Sequence, residues 1–483
     1  MHLQRVQVPD FRVLKDVDIT FEHDFNPRVF PLGSQNGGGK STLLQLIFVL
    51  LHCSTNHEKH FAVNNLLNSF TLLKGEDKRV LAVINIWDEE KVIQLEFFIC
   101  NDDYINQTVI DDGVNNEKLA MPKITLSKIG VLEGIKRRIS QFSQEESQLQ
   151  DIIQEIKSNH YQEIPEHLQH RLAKLGINEF DYDPTQTWFE LQFFGKTNND
   201  LKLQLSQEHK RLYEQADELS EDVDNSIEYL KLNCLEYILK RNKTNLLCHV
   251  KNLDMDKVRQ FLIDLSNKVF LAAPSTQVFL FHPKQIKRAL FSKQYDTNTD
   301  KENLYFKGLD FVKSILNGLF TYDFLAVDLL INFFKSARDK DFKQAVETGE
   351  YGSNYKDLLI ELSSLLTNKI VNVNADFSSI IFTVNKLDEN IKLYSEDLSH
   401  GELKRLSIYC WLKYNNIKDA IVLMDEVDLA LHPDWQYKIV SDLVDWVPSN
   451  QYILATHSYE LCQALTPSHV KVLEPKLTER RSK

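Results

Sequence analysis

The densest chemistry in the sequence is a run of nine residues, SQNGGGKST, from Ser34 to Thr42. Glycines let backbone N–H groups turn toward an anion, lysine supplies a point charge, and a serine hydroxyl suits Mg²⁺. The full phosphate-loop pattern G-x-x-x-x-G-K-[ST] would start at Ser34, so its first glycine is missing, although Gly33 is adjacent. From Asn36 onward the fit is complete. Asn36, Gly37, Gly38, Gly39, Lys40, Ser41 and Thr42 are therefore expected to bind a nucleotide's phosphates, with Lys40 neutralising their charge and Ser41 ligating Mg²⁺.

Three later stretches carry further chemistry. AIVLMDEVD (Ala420 to Asp428) is an apolar run ending in acids. Asp425 would hold Mg²⁺ through water and Glu426 would polarise an attacking water. Alone, such a strand end is more often a solvated turn. In LSHGELKRL (Leu398 to Leu406), Ser399 and Gly401 open a helix whose free N–H groups suit a phosphate, with Glu402 one residue on. Alone this is only a serine N-cap. In YILATHSYE, His457 follows a strand, and a lone histidine there is ordinarily structural. The order glycine loop, serine–glycine helix start, acidic strand end, histidine is what makes chance a poor account of all four.

The elements that must position these residues read as follows. LQRVQVPDFRVLKDVDITF alternates like strands, and Val29 to Leu32 is an apolar strand feeding the glycine loop and a helix from Thr42 to about Cys53. VLAVINIW and KVIQLEFFIC predict a hairpin around Asp88-Glu89-Glu90. From Lys128 to Leu175, and again from Asn198 to Arg241, apolar residues recur every three or four places, with the alternating patch TWFELQFF between. These runs predict either a helical hairpin inserted into the nucleotide domain or separate surface helices. QVFLF (277–281) and SSIIFTVN are read as strands. From Leu393 the pattern is α/β: helix 401–416, strand AIVLMD, helix 434–446, strand YILAT.

The chain has 483 residues, enough for two or three structural units, with 43 % apolar and 26 % charged residues, as in soluble globular proteins. No run reaches the roughly 20 apolar residues of a membrane span, and the start shows no secretion signal. The six cysteines lack metal or redox spacing, so a reduced cytoplasmic setting is expected. A net charge of −13 argues against a surface largely coated with nucleic acid. Local basic groups at 136–138, 240–243 and Lys284/Lys287/Arg288 are solvated faces or contributors to a groove, so nucleic acid remains a plausible partner.

Taken together the four stretches resemble the ABC-type ATPase superfamily. Lys40 and Ser399 are 359 residues apart, far more than in a simple transporter subunit. EVDLALHPDWQ puts His432 where transporters carry aspartate, and DE-x-x-x-x-L-H-P-x-x-Q resembles the overcoming-lysogeny-defect, RecF and Rad50-like branch. DFRVLKD (Asp10 to Asp16) is similar to the start of that branch, which implies Phe11 and Arg12 near the nucleotide. A Q-loop glutamine on Mg²⁺ is implied too, with Gln285 and Gln277 as candidates. Only 26 residues follow His457, so no Toprim nuclease domain is expected, and no HNH pattern is present. The chain most resembles the ATPase subunits of Septu antiphage systems, also found in some retrons.

That resemblance implies an α/β fold: an ABC-type ATPase head with a mixed β-sheet core, helices and an antiparallel β subdomain, plus a mainly helical insertion. The parts expected are 1–125 with Walker A, 126–265 as the coiled-coil-like insertion, 266–390 with the Q-loop, and 391–483 with signature, Walker B and H-loop. It implies a homodimer or higher homo-oligomer sandwiching ATP, in which Ser399, Gly401 and Glu402 serve the site of the opposite copy. Glu426 activates water and His457 senses the γ-phosphate. A separate HNH nuclease is the implied partner, with no membrane. The alternatives are a RecF/Rad50-like DNA-repair ATPase, against which the short insertion without C-x-x-C counts, and a nucleotide-locked assembly scaffold.

Overall fold

A computed structural model describes residues 1–34, 37–68, 70–101, 244–278, 298–322, 327–366, 368–386 and 389–473, with shorter stretches between them. In chain order the strands are β1 (His2–Phe11), β2 (Leu14–Thr20), β3 (Val29–Gly33), β4 (Lys78–Trp87), β5 (Val92–Cys100), β6 (Phe180–Tyr182), β7 (Leu191–Phe193), β8 (Lys196–Thr197), β9 (Leu235–Arg241), β10 (Thr244–Lys251), β11 (Val269–Ala273), β12 (Leu319–Thr321), β13 (Ile370–Val373), β14 (Ile380–Lys386), β15 (Glu389–Leu393), β16 (Ile421–Asp425), β17 (Gln451–Thr456) and β18 (Lys471–Val472). The chain divides into two compact units, Met1–Asn101 with Asn233–Lys483, and Asp102–Leu232.

The first unit holds a six-stranded parallel sheet in the order β12-β11-β16-β17-β3-β18. Strands β16 and β17 are buried at every residue, which is why they read as unbroken apolar runs rather than as alternation. Side chains still alternate across the sheet: Ile421 and Leu423 join one apolar cluster, Val422 and Met424 the other. One cluster includes the helix Lys40–Phe48, its continuation Val49–Cys53, and strands β1, β4 and β5. The other includes the helices Val327–Thr348, His400–Tyr414 and Pro433–Trp446. A six-stranded antiparallel sheet, β2-β1-β4-β5-β10-β9, and a three-stranded one, β13-β14-β15, complete this unit. The expected α/β head with an antiparallel subdomain is thus present.

Three expectations need correction. The inserted unit spans 102–232 rather than 126–265, because β10 runs antiparallel to β5 from Asn245 opposite Cys100 to Lys251 opposite Gln94. Buried Leu246, Leu247, Cys248 and Val250 tie that strand to the head. Residues 266–390 and 391–483, both expected within the ATPase head, lie in this same unit. The helical run expected up to Arg241 ends in a strand: β9 pairs with β10 with Arg241 opposite Thr244, so LEYILKR follows the sheet rather than the helical period. The strand expected at QVFLF lies earlier, at Val269–Ala273 between β12 and β16; Pro274 ends it, and Ser275–Gln277 forms a tight helical turn.

In the second unit, residues 147–156 are helical, with Leu149, Ile153 and Ile156 buried at the predicted spacing. The helix Glu166–Lys174 packs beside them, Arg171 donating to Glu155 Oε2 at 2.7 Å. Part of the alternating patch forms β7 in a small antiparallel sheet with β6 and β8. Much of the second helical run lies outside the described residues. Among the described residues no helix is long and apolar enough to cross a membrane.

Candidate active site

Parallel strands deliver their C-terminal ends to one edge of a sheet, where α/β proteins build their ligand sites. Here β17 lies between β3 and β16, with Thr456 opposite Gly33 and Asp425 opposite Ala455. That register brings the start of the glycine loop, the acidic strand end and His457 to the same edge, although 384 residues separate Ser41 from Asp425.

The glycine loop turns through left-handed backbone at Gly37 (φ 81°) and Gly39 (φ 89°), the latter directly preceding the helix Lys40–Phe48. A Cβ on Gly39 would lie 2.7 Å from Leu14 Cδ2 and 2.9 Å from Val13 Cγ2. Glycine is therefore required twice over, by conformation and by space. The same contact places the turn between β1 and β2 against the loop. Arg12 sits in that turn with φ 54°, its guanidinium 5.3 Å from the Phe11 ring centre.

Lys40 is buried, and its Nζ donates to Ser34 O (3.2 Å) and Ser34 Oγ (3.1 Å). It also lies 3.0 Å from His457 Nε2, which accepts when the imidazole is neutral with the proton on Nδ1. Burial lowers the Lys40 ammonium from its ordinary range, against the pull of Asp425, Asp428 and Glu426. Ser41 Oγ donates to Asp425 Oδ1 at 3.0 Å. The Asp425 carboxyl, 1 % exposed, is pushed up to about 6 by burial and by Glu426 and Asp428, opposed by the Ser41 hydrogen bond and Lys40. Among the described residues its Oδ2 is buried with no hydrogen-bond partner. An acid held this way suits a cation that supplies the missing charge and ligation.

Glu426 has left-handed backbone (φ 49°), and its N–H donates to Ala455 O at 2.9 Å, carrying the β16–β17 ladder one residue past the strand. The loop after it is tied down from two helices. Lys404 Nζ donates to Glu426 O (2.8 Å) and Leu429 O (3.0 Å), and Gln436 Nε2 donates to Leu431 O (2.8 Å) and Asp428 O (3.3 Å). His432 caps the helix Pro433–Trp446 by accepting from Asp434 N at 3.3 Å.

Ser399, Gly401 and Glu402 form a separate group. Ser399 Oγ accepts from Glu402 N (3.3 Å), and Glu402 Oε2 accepts from Ser399 N (3.1 Å) and Oγ (3.0 Å), a closed capping box. Burial works to raise the Glu402 carboxyl, but its bonds to Lys369 and Ser399 hold it below its ordinary range. A Cβ on Gly401 would sit 3.0 Å from Ala430 O and 3.1 Å from the Trp435 ring. Among the described residues no hydrogen bond joins this group directly to Lys40 or Ser41. Asn36 and Gln285 lie outside the described residues, and Gln277 ends the turn after β11.

Sequence reasoning passed over Lys404, Gln436, Lys369 and Ser34. Ser34 and Gln436 stood inside quoted motifs with no role assigned. The only signal for Lys404 was a basic pair inside LSHGELKRL. Lys369 stands 33 positions before its partner, and nothing in the sequence marks it.

This is where comparison with known proteins bears on the chain. Residues 264–463 match the protein family described as "AAA domain, putative AbiEii toxin, Type IV TA system". The chain is similar to the ATPases of retron and Septu systems. The Retron Vc95 probable ATPase of Vibrio cholerae is 44 % identical over 11 % of this chain and 10 % of its own length. The Retron Ec83 probable ATPase of Escherichia coli is 39 % identical over 18 % of each. The Septu protein PtuA of Bacillus thuringiensis is 32 % identical over 23 % of this chain and 31 % of its own. These matches thus span less than a third of each relative. Among solved structures, a Smc head bound to the C-winged helix domain of ScpA superposes with a TM-score of 0.33 at 10 % identity, covering 96 % of this chain and 92 % of that one. So low a score carries no weight here; the fold rests on the sheet order itself.

Proposed function

We propose that the chain binds and hydrolyses ATP with Mg²⁺ as one subunit of an antiphage defence complex, working as an ATP-sandwich homodimer. The observation that carries this reading is the convergence of Lys40, Ser41, Asp425 and His457 at the ends of three adjacent parallel strands. Backbone N–H groups of the glycine loop and the Lys40 ammonium would hold the phosphates, as both do in phosphate loops generally. Mg²⁺ would be held by Ser41 and Asp425, whose Oδ2 lacks a partner among the described residues, and would neutralise phosphate charge. Glu426 takes the proton of the attacking water. His457, released from Lys40 as the phosphates claim the ammonium, would donate toward the γ-phosphate from Nε2 once its proton moves there from Nδ1 or the ring is protonated. Ser399 and the helix start at Gly401 would complete the site of the opposite copy, which accords with their separation from Lys40 within one chain.

The defence setting rests on the similarity to retron and Septu proteins, and the resemblance stated for the latter supplies the expected partner, a separate HNH nuclease. One experiment tests both parts: purify the tagged chain from its native operon, identify what co-elutes, and measure phosphate release. Mg²⁺-dependent turnover that Lys40→Ala abolishes, with a stoichiometric HNH protein alongside, supports the reading. Equal turnover in Lys40→Ala would remove the assigned site, and the chain alone on DNA ends would shift the setting to repair.

A further inference from the structure

Glu426 is held by its own backbone on two sides. Its N–H is fixed to β17 through Ala455 O, and its C=O is fixed by Lys404 Nζ at 2.8 Å. Lys404 also takes Leu429 O at 3.0 Å, so one ammonium spans the turn that follows the acid. The side chain is 4 % exposed and lies 4.1 Å over the Tyr322 ring. Both ends of that turn are non-glycine residues in left-handed backbone, Glu426 at φ 49° and Ala430 at φ 65°, a conformation that side chains resist unless neighbours impose it. Lys404 supplies two of the imposing bonds.

Lys404 is also the fifth residue of the helix His400–Tyr414, whose first turn carries Gly401 and Glu402 and whose cap is Ser399. Gly401 packs against the far end of the same turn, where an added Cβ would sit 3.0 Å from Ala430 O. A rigid helix therefore joins the Ser399–Gly401 end to the Glu426 peptide. Any shift of that helix when its end docks on a nucleotide must move the Glu426 carbonyl, while β17 holds the N–H still. With the N–H held and the C=O moved, the change falls on the two backbone torsions of Glu426, and the part taken up in φ turns its Cα–Cβ bond and re-aims the carboxylate.

We propose that Lys404 is a positioning residue that couples the two sites of the dimer: docking of its helix end on the partner copy's nucleotide sets Glu426 in its own site. This rests on the ATPase reading above. The test is Lys404→Met, which keeps an unbranched stem over Tyr322 but donates nothing, beside Lys404→Arg, which keeps donors. The full-length wild type and both variants are compared for affinity to a fluorescent ATP analogue with Mg²⁺, kcat, and the Hill coefficient of turnover against ATP. In K404M, kcat should fall roughly 10- to 100-fold, affinity should hold within about twofold, and the Hill coefficient should drop toward that of independent sites, with K404R recovering all three.

Wild-type kcat and cooperativity in K404M would overturn the coupling while leaving the ATPase reading intact. Affinity lost in proportion to kcat would reduce Lys404 to a packing residue and likewise overturn it. Should K404M not fold, Lys404→Gln, too short to span both carbonyls, carries the same expectation. Failure of every substitution to fold, arginine included, also overturns it. A wild-type chain that neither binds nor hydrolyses ATP refutes the ATPase reading itself.

Discussion

At the scale of single residues, Asp425 carries the sharpest consequence. Its folded-state carboxyl titrates at about 6, against an ordinary value near 3.8, because burial disfavours its charge. For an acid shifted upward, the folded state binds the proton more tightly than the unfolded chain. The stabilisation is complete below pH 4 and is lost as pH rises through 6. Asp425→Asn should therefore stabilise the nucleotide-free protein at pH 7.5 by up to ~3 kcal/mol. The gain should vanish near pH 4, as thermal melts at the two pH values would reveal. The same variant should lose Mg²⁺-dependent turnover, so the residue trades stability for function. No gain at pH 7.5 would mean Asp425 is already compensated in the free protein.

At the scale of elements, the helix His400–Tyr414 is anchored by a buried ion pair. Arg405 donates to Asp442 Oδ2 from Nε (3.0 Å) and Nη2 (2.6 Å), and its Nη1 donates to Leu365 O (2.9 Å). Burial raises the Asp442 carboxyl despite that partner. Removing only one charge strands the other, so Arg405→Met should cost about 3–5 kcal/mol of unfolding free energy in a denaturant titration. Adding Asp442→Leu to it should recover most of that loss, because the apolar pair no longer buries an unmatched charge. A double variant no better than the single would assign the loss to the Leu365 hydrogen bond and to the Trp435 ring, whose centre lies 5.0 Å from the guanidinium carbon, instead. The glycine loop is a second element under constraint. Gly39→Ala places a methyl group against Leu14 and Val13 at a left-handed position, and nucleotide affinity should fall at least ~10-fold in a binding titration.

At the scale of the whole molecule, the separation of the Ser399 group from Lys40 makes oligomeric state the informative quantity. Glu426→Gln keeps the shape of the acid but removes its basicity, so ATP should bind and persist. With ATP and Mg²⁺ that variant should elute at twice the subunit mass, while Lys40→Ala should elute as without nucleotide. A Glu426→Gln protein whose mass ignores ATP would sink the sandwich arrangement. If Glu426→Gln instead retained defence in cells, the chain would act as a nucleotide-bound scaffold rather than through turnover.

Much of this was legible in the sequence where a residue's neighbours along the chain decide its role. The glycine loop, the apolar run ending at Asp425, the serine cap before Gly401 and the strand before His457 are each local patterns, and backbone chemistry makes them recognisable. The α/β character of the last third followed from unbroken apolar strands between helical periods. Tertiary structure alone decided what depends on pairing across distance. The end of the insertion is set by β10 finding β5, and the place of β11 by its slot between β12 and β16. Lys404 and Gln436 gained their roles only because two helices converge on one left-handed turn. Hydrophobic period and turn chemistry act over a few residues, whereas strand order and carbonyl partners are chosen by the packed core, which no local window contains.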